Sequence, residues 1–139
     1  CDLAYASTNS QFATPGVNIG LFCSTPMVSL SRSIKNKHSL EMLLTGDLIN
    51  AEKAKFIGLI NNVFNEENLE NEVNLITKKI STKSSTVLKI GKKAFYAQSQ
   101  MKIIDAYNYA SEVMIQNMTE NDSEEGIRAF IEKRKPNWS

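Results

Sequence analysis

Cys1-Asp2-Leu3-Ala4-Tyr5-Ala6-Ser7-Thr8-Asn9-Ser10-Gln11-Phe12-Ala13-Thr14-Pro15-Gly16-Val17-Asn18-Ile19-Gly20-Leu21-Phe22 is the stretch on which the fold turns. Leu3 to Ala6 is short, apolar and built of small residues, a composition that predicts a strand buried on both faces. Ser7 to Gln11 is polar turn material, and Phe12 resumes extended chain as far as Pro15. Gly16 and Gly20 then bracket Val17 to Ile19. Glycine at 16 offers either a positive φ or a close approach of backbone, and it brings no side-chain chemistry. One or two strands form no stable sheet alone, so this section needs partners elsewhere.

Outward from that stretch the chain turns helical. Thr25-Pro26 predicts a helix start, with proline at the first helical position, running through Leu30 to about Ile34. A second helix, Ser39 to Leu44, stops at Gly46. Asn50 is a good N-cap for a helix from Ala51 to Ile57 that Gly58 closes. Leu59 to Phe64 reads as a brief extended segment. Beyond it, three apolar faces repeat at helical spacing: Leu69, Val73, Ile76 and Ile80; Val87, Ile90, Ala94 and Phe95; Ile103, Tyr107, Ala110, Met114 and Met118. Asp122-x-x-Glu125 has the form of a capping box for a last helix with Ile127, Phe130 and Ile131 on one face, ended by Pro136.

The bulk numbers bound the function. With 139 residues, 42% hydrophobic and 22% charged, the chain is long enough for one core. A net charge of +1 without a basic stripe argues against nucleic acid; Lys133-Arg134-Lys135 is the only basic cluster. No apolar run approaches membrane-spanning length, and no leading basic-plus-apolar segment marks secretion. The chain begins inside a strand without Met, so it reads as a fragment. Cys1 and Cys23 cannot build a disulfide framework; reduced, buried thiols in an intracellular protein are expected. A reactive Cys23 would need a neighbouring cation that the sequence does not supply.

Three further blocks follow the opening stretch in order: Leu43-Leu44-Thr45-Gly46-Asp47-Leu48-Ile49-Asn50-Ala51-Glu52-Lys53-Ala54, then Gly58-Leu59-Ile60-Asn61-Asn62-Val63, then Glu125-Gly126-Ile127-Arg128-Ala129-Phe130-Ile131-Glu132-Lys133-Arg134-Lys135-Pro136-Asn137-Trp138. Together with C-D-hydrophobic-small and F-x-x-P at the start, they resemble the crotonase (enoyl-CoA hydratase/isomerase) family along almost the whole chain. The resemblance implies an α/β fold: the second half of a ββα spiral (1–64), followed by a helical C-terminal trimerisation region (65–139), with the N-terminal half absent. It implies an acyl-CoA ligand, a trimer or hexamer, no permanently bound cofactor, and a place in fatty-acid metabolism as a lyase or isomerase. It further implies a mitochondrial location in a eukaryote and a cytoplasmic one otherwise. Family members stabilise a thioester enolate with two backbone N–H donors. Those donors and the first catalytic carboxylate lie upstream of Cys1 in the family pattern, so this chain alone is expected to be inactive.

Gly16 stands where the family's F-x-x-P-E pattern has a glutamate. Hydration needs one group to activate water and another to deliver a proton, and glycine is neither. Asn18 and Ser24, where other members can place acids, are not carboxylates either. The chain therefore contributes no catalytic residue of its own on this reading. Either hydratase chemistry is lost or rerouted, or Pro15-Gly16 is a turn and a replacement acid comes from the missing half. A pocket widened for another acyl group is a further possibility.

Phe130 and Lys133 match the family positions that meet the adenine and 3′-phosphate of coenzyme A. An aromatic face stacks on a base, and an ammonium pairs with phosphate. Read without the resemblance, Phe130 belongs to an apolar helix face and Lys133 to Lys135 complement a helix dipole. His38, the one histidine, has no second ligand at metal spacing and reads as a helix-end surface residue. The Tyr107, Tyr109, Met114, Met118 stripe reads as core or subunit interface. Glu66, Glu67, Glu124 and Glu125 read as first-turn acids. Two functions remain: a crotonase-type acyl-CoA enzyme, or a catalytically depleted homologue that binds CoA esters or partners.

Overall fold

The computed structural model describes residues 1–139. It forms two compact units, Cys1–Leu75 and Ile76–Ser139. The first runs β1 (Tyr5–Ser7), β2 (Gln11–Phe12), a 3₁₀ turn (Pro15–Ile19), α1 (Ser24–Ser33), α2 (Asn36–Thr45), β3 (Ile49–Asn50), α3 (Ala51–Phe56) and β4 (Asn62–Phe64). β1 pairs in parallel with β4, Ala6 opposite Val63, while β2 pairs antiparallel with β3. Asn61 ties the parallel pair at its open end, its N–H and side-chain oxygen both bonding Ala4 at 2.7 Å.

These short strands stand because helices cover them. Leu30, Ile34, Met42, Leu43 and Ile57 form one buried cluster, edged by Phe12 and Ile49. Ala6, Ala54 and Ile60 form a second beneath β1 and β4. The strand predicted at Leu3 to Ala6 is shifted to Tyr5–Ser7, and only Ala6 is buried. Its two outer residues stay half-exposed because β4 is its only strand neighbour. Asn50 caps α3 as expected, its side-chain oxygen accepting the Lys53 N–H at 2.8 Å. Gly46 ends α2 in the left-handed region, as expected, and a β-carbon there would meet Val17 at 2.9 Å.

α4 (Leu69–Ser81) carries the division between the units. The second unit contains α5 (Ser85–Gln98), α6 (Ile103–Met118) and α7 (Asn121–Ile131). Here the apolar spacing leaves core and subunit interface open, and the core alternative fails within this chain. The unit's buried residues are small or polar: Ser84, Ala106, Asp122 and Ala129. Tyr107, Met114, Met118, Ile127 and Ile131 are exposed, so the stripe on α6 and the apolar face of α7 are not core in this chain. Amphipathic spacing identifies a face that will be covered, not the molecule that covers it.

The accessible surface gives the same answer. By the scaling of folded monomers, two separate globules sharing the chain's mass equally would expose about 8,700 Å² in total. The 15.5 kDa chain exposes 10567 Å².

Candidate functional site

Pro15 starts the 3₁₀ turn and Gly20, in the left-handed region, ends it. Gly16 lies inside. Its N–H donates to Cys23 Sγ at 3.3 Å, and its carbonyl accepts the Leu21 N–H at 2.9 Å. A β-carbon at 16 would stand 2.7 Å from the Leu21 carbonyl oxygen and 2.8 Å from Cys23 Sγ. Glycine is used here for close approach, and the space above it is already filled by its own loop. The absent side chain at Gly16 therefore leaves no open space at that position. Asn18 and Ser24 are exposed, and no carboxylate stands among the contacts of this turn. Cys23 is half-buried and Cys1 is exposed, so the expectation of two buried thiols fails for Cys1, which precedes the first strand.

Beside this turn, Phe12, Thr14, Pro26, Leu30 and Met42 line a cavity of about 410 Å³. Thr14 is buried, and its hydroxyl has no protein partner.

The second place of interest is the end of α7. The predicted capping box is absent: Glu120 is the N-cap residue, and Asp122 lies within the first turn, buried. Its carboxylate accepts the Ser139 N–H and hydroxyl, each at 2.9 Å, and the Ser84 hydroxyl. The Ser139 backbone bond, followed by the Ser84 hydroxyl, pulls the Asp122 carboxyl below its usual range. Ser84 in turn caps α5 by accepting the Val87 N–H at 3.1 Å. Glu125 is likewise not a simple first-turn acid. Arg134 grips it with two guanidinium nitrogens at 2.6 and 2.9 Å, and the Asn137 N–H donates to it at 2.8 Å. The Arg134 bonds, followed by the Asn137 N–H, hold its carboxyl at about 2.

α7 stops at Ile131, five residues before the proline predicted to end it. Lys133 follows at φ +54°, the only non-glycine residue in the left-handed region. Its N–H donates to the Phe130 carbonyl at 3.3 Å, and the Arg134 N–H to the Ala129 carbonyl at 3.0 Å. This bond pair is a Schellman ending, with lysine in the position glycine favours. The tail then returns along the helix: Trp138 donates to the Thr82 carbonyl at 2.8 Å and its ring covers Gly126.

Phe130 is 83% exposed, at the rim of an apolar cavity of about 580 Å³ lined by Val87, Leu88, Met118, Ile127 and Trp138. Lys133 stands three residues beyond it with no carboxylate partner, and Arg134 takes both Glu125 and Glu132. The two residues singled out from sequence thus share one helix end. The Arg134–Glu125 pair and the Trp138 anchor were not singled out; a carboxylate and a guanidinium nine residues apart give no helical-face signal. His38 is a helix-start residue 3.9 Å from Glu41, and no metal-ligating cluster forms.

Comparison with known proteins gives concordant results. The family model described as Enoyl-CoA hydratase/isomerase matches residues 1–139. Enoyl-CoA hydratase domain-containing protein 3, mitochondrial, is 50% identical in Xenopus laevis over 139 residues, all of this chain and 47% of that protein. The human protein of that name is 48% identical over all of this chain and 46% of its own length. Among solved structures, an enoyl-CoA hydratase from Mycobacterium smegmatis superposes with a TM-score of 0.96 at 43% identity, covering 99% of this chain and 54% of that one. The human domain-containing protein 3 gives 0.95 at 47%, covering 99% and 55%. The chain spans about half the length of the curated relatives it matches.

Two measurements test this geometry. Gly16→Ala should lower the free energy of unfolding by about 1–3 kcal/mol in denaturant titration, because backbone must move to admit one carbon. Acid should release the tail late. A depressed carboxyl stabilises the fold above the unfolded value of about 4.3, and that contribution is lost as pH falls through about 2 for Glu125. Trp138, the one tryptophan, should report the release by its fluorescence, and Arg134→Gln should move the transition up towards the usual carboxylate range.

Proposed function

Because the chain belongs to the enoyl-CoA hydratase/isomerase family, we propose that it supplies the coenzyme A end of an acyl-CoA-binding, enoyl-CoA hydratase/isomerase-like protein of fatty-acid metabolism. Residues 1–64 complete the spiral core and 65–139 form the helical region. The observation that carries the reading is the pairing of an exposed aromatic ring with an unpaired ammonium at one helix end. Phe130 stacks on the adenine, and Lys133 pairs with the 3′-phosphate. The acyl-CoA is the substrate, and no permanently bound cofactor is required. Residue 16 takes no part in proton transfer, so any catalytic carboxylate belongs to another position. The relatives named mitochondrial support a mitochondrial place in a eukaryote. No helix is long and apolar enough to cross a membrane.

The uncovered faces of α6 and α7 serve assembly into a trimer or hexamer. Met114, Ile115 and Met118 on α6 and Ile131 on α7 are exposed in this chain by itself. Oligomer interfaces take up such apolar surface. Sedimentation equilibrium on the full-length protein should give a trimer or its double; a folded monomer at high concentration would refute the assembly.

The ligand assignment has its own measurement. Calorimetric titration of the full-length protein should show Lys133→Ala weakening coenzyme A by about 1.5 kcal/mol or more, roughly tenfold, and dephospho-coenzyme A far less. Phe130→Ala should weaken both. Its exposure predicts no loss of fold stability, unlike a core phenylalanine.

A further inference from the structure

We propose that Glu125 is a positioning residue for Lys133: through Arg134 it holds the lysine in its left-handed turn and keeps its ammonium free for an anionic ligand. The inference rests on the coenzyme A reading above and extends it to residues that would not touch the ligand.

The turn itself is the first observation. A side-chain-bearing residue at φ +54° is strained where glycine is not, and strain that persists is held in place by its surroundings. Both Schellman hydrogen bonds are made, from Lys133 to Phe130 and from Arg134 to Ala129, so this is the fixed end of α7 and not a frayed one.

The second observation is what fixes it. The residue after the strained one, Arg134, is gripped by both oxygens of Glu125, nine residues back on α7. The same guanidinium reaches Glu132, the residue before the strained one. Lys133 is thus flanked on both sides by partners of one clamp. Glu125 also accepts the Asn137 N–H, which ties the following tail to the helix.

The third is charge. Glu132 precedes Lys133 in the chain and offers a carboxylate that could neutralise the ammonium. Arg134 occupies it instead, at 2.5 Å from its Nε. A planar guanidinium with donors on several edges serves both carboxylates at once. The clamp therefore sets the backbone and removes the competing anions together.

The test is a comparison of coenzyme A with dephospho-coenzyme A on the full-length protein, by calorimetry, for Glu125→Gln, Lys133→Gly, Lys133→Ala and the double variant. Glu125→Gln should lower coenzyme A affinity by about threefold or more with little change for dephospho-coenzyme A, and should add nothing further in the Lys133→Ala background. Lys133→Gly should match Lys133→Ala in binding while unfolding at a higher temperature than it, since glycine suits the turn. Where Glu125→Gln does not yield folded protein, Arg134→Gln removes the same clamp from its other end and carries the same expectation. Equal losses for both ligands, or full additivity with Lys133→Ala, would overturn the positioning role and leave the clamp a tail anchor. If Lys133→Ala itself does not separate the two ligands, the coenzyme A reading fails first, and this proposal with it.

Discussion

Asp122 and Glu125 stand one turn apart on α7, and between them they accept the hydrogen bonds that fold the chain's last residues back on the helix. Asp122 takes Ser139 on one side and Ser84 on the other, so one carboxylate joins the tail to the start of α5. Glu125 takes Arg134 and the Asn137 N–H. Everything distinctive about the helix end depends on this: the left-handed lysine, the tryptophan over Gly126, and the wall of the apolar cavity that Trp138 supplies. A buried carboxylate is stable only when its oxygens are satisfied, and here three donors, from Ser84 and from Ser139, converge on Asp122.

The turn at Pro15-Gly16 is organised by a different constraint, contact distance. Leu21 and Cys23 approach the Gly16 backbone so closely that no side chain fits. Glycine here is more than the absence of a glutamate. The loop has closed over the position, and the Cys23 sulfur takes the N–H that faces it. A catalytic carboxylate at 16 would require the whole loop to be different.

The helical region is held less by its own interior than by hydrogen bonds and by surfaces it leaves open. Small residues, Ala106 and Ala129, are the apolar ones that three helices bury; Val87, Ile90 and Val113 are partly buried, and Tyr107, Met114, Met118 and Ile131 lie outward. That arrangement is the expected one for a segment whose core is completed by other surfaces. It agrees with a chain that matches about half the length of its relatives across its entire extent.

Much of the fold was legible in the amino-acid order. The cap at Asn50, the stop at Gly46 and the existence of each helix follow from local chemistry: a side-chain acceptor, a residue free of left-handed strain, and apolar residues at helical spacing. The motifs also singled out Phe130 and Lys133 as candidates, and the departure at Gly16. Tertiary structure alone decided what these residues face. Periodicity marks an apolar stripe on α6, but whether it meets the same chain is a property of packing, and it does not. Asp122 looks like half of a capping box, yet it is buried by Ser84 and Ser139, far from it in sequence. The Glu125–Arg134 pair spans nine residues across a helix end, where no repeat relates the partners. Local signals depend on neighbours along the chain; these contacts depend on where the tail returns, and only the folded molecule fixes that.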